Sequence, residues 1–133
     1  MSDIANGEFL FRYAKPEAFP DGQSEIPTTI FNDKELSCDW HHFQKKPEES
    51  FNIQHGRSVV IEITVCEEIK NPTNPKRSGE LVPDWKQEVK HDPVPEIAGN
   101  QFTPNESHSL IKGKKRSAVT SIIRDNSRVR SRL

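Results

Sequence analysis

The sequence is short of apolar material, and that shortage sets the first limits. Only 32% of its 133 residues are hydrophobic and 8% are aromatic. No run of about 18 apolar residues occurs, so no transmembrane helix is expected. The opening MSDIANGEFLF has no basic stretch followed by an apolar one, so no secretory leader is expected and the location reads as cytoplasmic. Cysteine is scarce too: Cys38 and Cys66 are the only two, each in an apolar, strand-like stretch. They read as reduced, buried thiols that pack as small hydrophobes. The sequon Asn105-Glu106-Ser107 has no glycosylation meaning without a secretion signal. The chain has no P-loop, no dinucleotide-binding glycine motif, no Gly-x-Ser-x-Gly elbow and no His-Glu-x-x-His, and no internal repeat. No cofactor and no metal are expected.

What is present is enough for a folded domain with a modest core. Leu, Ile, Val and Phe together number 31, above the roughly one-fifth floor below which chains are usually disordered. Ten prolines and six glycines imply many turns. The alternation Phe9, Phe11, Tyr13 predicts a first strand, and Lys15–Gly22, with Pro16, Pro20 and Asp21-Gly22, predicts a turn. Ile26–Phe31 and Leu36–Trp40 read as further short strands, and Pro47–Phe51 as a helical turn opened by its proline. The strongest element is Arg57–Cys66, where Val59, Ile61, Ile63 and Val65 share one face. That alternation predicts a half-buried strand at the centre of a sheet. Six prolines fall between Glu67 and Asn105, which predicts a long irregular connection, with Leu81–Val89 forming a strand or helical turn around Trp85.

Charge is the most informative feature. The formal net charge is −1, yet Leu110–Leu133 holds eight basic residues and one acid, for +7, leaving 11 bases and 19 acids before it, for −8. Ala118, Val119, Ile122 and Ile123 recur at helical spacing behind Ser117 as N-cap, and Arg124, Arg128 and Arg132 recur every four positions. The fold expected is α+β: a small antiparallel or mixed sheet with long proline-rich loops and a C-terminal amphipathic basic helix. It is expected to be one domain over 1–133, an acidic β-rich body at 1–109 and a basic helical segment at 110–133.

Two functional readings follow. The first is a soluble, non-catalytic binding module that engages a negatively charged partner, a nucleic acid or an acidic protein, through that helix; no membrane partner is expected. Its contact residues are Lys112, Lys114, Lys115, Arg116, Arg124, Arg128, Arg130 and Arg132. Lysine and arginine that neutralise phosphates release counterions, giving affinity that falls with salt. The plainer explanation is a solvated helix end whose cations favour the helix dipole and the protein's own acidic body. The acidic body also repels a large polyanion, and the tail lacks aromatic side chains for stacking.

The second reading is a small enzyme acting on a nucleotide or RNA, with His108 as acid/base. His108 lies in the polar stretch Asn105-Glu106-Ser107-His108-Ser109 after the proline-rich connection, although such residues are also common in plain turns. The other histidines, His41, His42, His55 and His91, read as ordinary side chains, because adjacent His41-His42 point to opposite faces of a strand. Arg12, Ser37 and Glu62 (or Glu67 and Glu68) follow one another along the chain. In this order alone the sequence is similar to one branch of the ADP-ribosyltransferases. The resemblance implies a pocket in which Arg12, Ser37 and Glu62 hold and activate NAD. Leu36-Ser37-Cys38 stands where that family has Ser-Thr-Ser, and adjacent Glu67-Glu68 replaces its Glu-x-Glu. A third reading is an assembly subunit whose helix docks on an acidic neighbour.

Overall fold

Val59–Thr64 forms a strand, as its alternation predicts, but it is covered on both faces. Val59, Ile61 and Ile63 face a helix-covered core, while Val60 and Glu62, on the opposite face, are buried as well. The computed structural model describes residues 2–19, 25–50, 56–95 and 105–132. In chain order the strands are β1 (Ser2–Asp3), β2 (Phe9–Ala14), β3 (Glu35–Trp40), β4 (Val59–Thr64), β5 (Thr73–Asn74), β6 (Glu80–Leu81), β7 (Glu88–His91), β8 (His108–Lys112) and β9 (Ser127–Arg132). The helices are α1 (Glu67–Lys70) and α2 (Ser117–Asp125). Seven strands form one antiparallel sheet in the order β1-β7-β8-β3-β2-β4-β9, and β5 pairs with β6 in a separate ribbon. The fold is α+β. β3 occupies the middle of the sheet, and β4 lies one strand from an edge.

One face of the sheet carries Leu10, Ala14, Leu36, Cys38, Ile61, Ile63, Val89 and Ile111. Val119 and Ile123 of α2, Phe31 and Ile69 close over it. Prolines open the short 3₁₀ turns Pro16–Ala18, Pro47–Ser50, Pro75–Arg77 and Pro83–Trp85. The fixed φ and missing N–H of proline suit that first position, where the donor would have no helical partner.

Several local expectations are corrected. Ile26–Phe31 is not a strand: Thr28–Phe31 is a 3₁₀ turn that buries Phe31 against the core. The connection from Glu67 is more structured than its prolines indicate, contributing α1, the β5–β6 ribbon and β7. Leu81–Val89 is divided into the end of β6, the turn Pro83–Trp85 and the start of β7. His108 and Ser109, read as part of a turn, begin β8, while Asn105–Ser107 does turn, with Asn105 Oδ1 accepting from Ser107 N and Oγ. Of the predicted turns, residues 20–22 and 51 lie outside the described residues, as do His55 and Pro104.

The largest difference is at the C-terminus. Ser117 is the first helical residue and Arg116 the N-cap, and the helix stops at Asp125. Asn126 Nδ2 donates to Ile122 O and Ser127 Oγ to Ile123 O, satisfying carbonyls that a longer helix would have used. Ser127–Arg132 then pairs antiparallel with β4. Arg128, Arg130 and Arg132 fit a period of two as well as Arg124, Arg128 and Arg132 fit a helical one, and pairing with β4 decides between them. The boundary drawn at Leu110 falls inside β8.

Candidate functional site

The eight cations of the C-terminal segment are largely held by the protein itself. Lys112 pairs with Glu35 at 3.6 Å, Lys114 with Asp84 at 2.7 Å, and Arg124 with Glu25 at 3.2 Å. Lys115 Nζ donates to the carbonyls of Lys34, Ile111 and Gly113, and burial draws its pKa down to about 8. The Arg116 guanidinium makes no hydrogen bond or ion pair among the described residues, although its charge reaches Asp84.

β9 explains the other three. A bulge aligns Val60 with Ser131 but Ile61 with Val129, leaving Arg130 as the extra residue. Arg128 and Arg130 therefore lie on the face away from α2, and Arg132 lies on the other, 4.7 Å over the Phe19 ring. Arg128 Nε donates to Glu62 at 2.6 Å, while Arg130 donates to Glu48 at 2.9 Å and to Glu62 at 3.4 Å and covers Phe11. Burial pushes Glu48 up, but hydrogen bonds from its own backbone, Arg130 and Ser131 bring its pKa below the usual value. Hydrogen bonding and attraction from Glu62 raise Arg128. Arginines and a bulge on an edge strand also discourage edge-to-edge pairing, so this basicity has a structural role.

Of the catalytic candidates, three are brought together. Ser37 Oγ lies 3.3 Å from His108 Nε2, and Arg12 Nη1 donates to Ser37 O at 3.0 Å. Glu62 lies elsewhere, two strands from β3, and is occupied by Arg128 and Arg130. With Glu62 as its glutamate, the Arg-Ser-Glu pocket implied by the ADP-ribosyltransferase order is not assembled, because sheet order separates Glu62 from Ser37. Asp92, which the sequence did not single out, meets His108 Nδ1 with its backbone carbonyl at 2.8 Å and its carboxylate at 3.5 Å. Only the pairing of β7 with β8 brings it there. Beside this group, buried Asp39 accepts from Tyr13 Oη at 2.7 Å and from Asn105 Nδ2 at 2.8 Å.

His41, His42 and His91 are held by ring contacts. His41 packs edge-on to Phe9 and Phe11, and His42 and His91 surround Trp40 and Phe43. Among the described residues no three His, Cys, Asp or Glu side chains converge as metal ligands. Cys38 and Cys66 are free thiols, and burial pushes Cys38 up to about 12.

A cationic cleft at the end of β2 was missed. It has a volume of about 380 Å³ and is lined by Arg12, Tyr13, Lys15, Glu17 and Arg57 over Ala14, Ala18 and Ile30. Arg12 is fixed by Ser37 O and by Asp33 at 3.2 Å, and its buried Nε has no acceptor. Lys15 and Arg57 form no ion pair among the described residues. These two residues lie far apart in sequence, 42 positions by number, and only the β2–β4 pairing, which sets Ala14 against Val59, brings their neighbourhoods together. No helix among the described residues is long and apolar enough to cross a membrane. No protein-family model, curated protein or solved structure matches this chain.

Proposed function

We propose that the protein is a binding module for a phosphate-bearing ligand, a nucleotide or single-stranded nucleic acid, and that the cleft at the end of β2 is its contact site. The observation that carries this reading is the pair Lys15 and Arg57, which form no ion pair among the described residues, beside the anchored Arg12. Cations with fixed geometry suit phosphate, and Arg12 offers planar, directional donors. The floor of Ala14, Ala18 and Ile30 offers apolar surface to a base. The volume lies at the small end of the range for ligand sites, about 300–1,000 Å³.

The expectation that the C-terminal cations form the contact surface receives less support, because seven of the eight are engaged within the chain. Deleting Lys112–Leu133 does not test either surface, since it removes core residues Val119 and Ile123 together with β9.

The experiment is fluorescence anisotropy with a short single-stranded oligonucleotide over a salt series. Lys15→Glu with Arg57→Glu is expected to abolish saturable binding, and each neutralised cation to lower the salt slope by about one. Arg124→Glu, on another surface, is expected to leave binding intact. Binding that survives the Lys15/Arg57 reversal, or that an acidic peptide reproduces, would overturn this reading.

A further inference from the structure

We propose that Ser37 is the nucleophile of an acyl-transfer site, with His108 as its general base and Asp92 as the residue that orients the imidazole. This goes beyond ligand binding in the cleft and does not rest on it.

The hydrogen bonding of His108 fixes the tautomer. The backbone carbonyl of Asp92, 2.8 Å from Nδ1, can only accept, so Nδ1 carries the proton. In the neutral ring Nε2 is then an acceptor, and its partner is the Ser37 hydroxyl at 3.3 Å. That is the arrangement a serine needs to lose its proton on attack. The Asp92 carboxylate, 3.5 Å from Nδ1, is placed to stabilise the imidazolium that forms.

The backbone holds the three residues in register. Asp92 N donates to His108 O at 2.9 Å, Asp39 is paired with His108, and Arg12 grips Ser37 O. All three side chains come from strands or strand ends, which position groups more closely than loops do. Ser37 is exposed, so an ester can reach it.

The substrate class is a carboxylic ester. Oγ forms a bond to the acyl carbon as the ester C–O bond breaks, the Oγ proton passes to His108 Nε2, and it leaves with the alcohol. Water then returns Ser37 by the same steps, releasing the carboxylic acid.

The test is incubation of the full chain with p-nitrophenyl acetate, with peptide mass mapping of the acetylated residue and release of p-nitrophenol followed by absorbance. Acetylation of Ser37 is expected, with its loss in both Ser37→Ala and His108→Gln. Asp92→Asn is expected to cause only a partial loss, because the backbone carbonyl still holds Nδ1–H. Far-UV circular dichroism establishes that each variant folds; for Ser37→Ala an intact fold is expected, since the side chain is exposed. No adduct at Ser37, an adduct only on lysines, or Ser37 labelling unchanged by His108→Gln would overturn the proposal.

Discussion

Arg130→Ala is expected to destabilise the protein more than Arg128→Ala, although Arg128 makes the shorter bond to Glu62. Glu62 sits on a strand buried on both faces, and its side chain is only 8% exposed. The Arg128 side chain is 69% exposed and the Arg130 side chain 28% exposed. An ion pair held mostly in solvent contributes little to stability, so Arg128→Ala is expected to cost little. Arg130 supplies a charge-assisted bond to Glu48, a second bond to Glu62 and a cation over Phe11, which is fully buried. The aromatic contact contributes about 0.5–1 kcal/mol, and breaking a buried pair from one side costs about 3–5 kcal/mol. Because Glu62 keeps Arg128, the low end applies, and Arg130→Ala is expected to cost about 3–4 kcal/mol. Urea denaturation followed by Trp40 and Trp85 fluorescence measures both. At 1 M salt, where the screening length is about 3 Å, the Arg128 effect should vanish and most of the Arg130 effect should remain. Equal costs, or a larger cost for Arg128→Ala, would refute the idea that burial rather than bond length sets the worth of these pairs.

Two further outcomes are expected. A Cβ at Gly113 would lie 2.6 Å from Lys86 O and 2.7 Å from Gln87 Nε2, so Gly113→Ala should force β7 and β8 apart and lower the thermal midpoint by several degrees in a melting experiment; an unchanged midpoint would contradict the close approach. Cys38 is buried with its thiol pushed up to about 12, so Ellman's reagent at pH 8 should titrate no more than one thiol, that of Cys66, in the native chain and two in urea; two fast native thiols would contradict its burial.

How much was legible in the sequence differs by element for physical reasons. β2, β3 and β4 were readable because alternating apolar side chains meet the core directly. The double burial of β4 was not, since Glu62 looks like a solvent residue until β9 delivers Arg128 and Arg130 to it. β8 was hidden because Ser109 is a buried polar residue in an otherwise apolar row, its hydroxyl satisfied by Ser107 O. The C-terminal arginines fitted both a helix and a strand, and no local signal separates them; long-range pairing does. At the candidate sites, His108, Ser37 and Arg12 could be named individually, but Asp92, Lys15 and Arg57 owe their places to strand register alone. The +7 of the C-terminal segment was correctly counted, while its engagement by Glu25, Glu35, Glu48, Glu62 and Asp84 depended on tertiary structure.

The cleft beside β2 is the proposed site of a negatively charged ligand. The most direct measurement is a ¹⁵N–¹H spectrum of the full chain titrated with a short single-stranded oligonucleotide. The expected result is saturable shifts confined to Arg12–Ala18 and the amides around Arg57, with Ser127–Arg132 unchanged. Shifts centred on Ser127–Arg132, or none at either place, would contradict it.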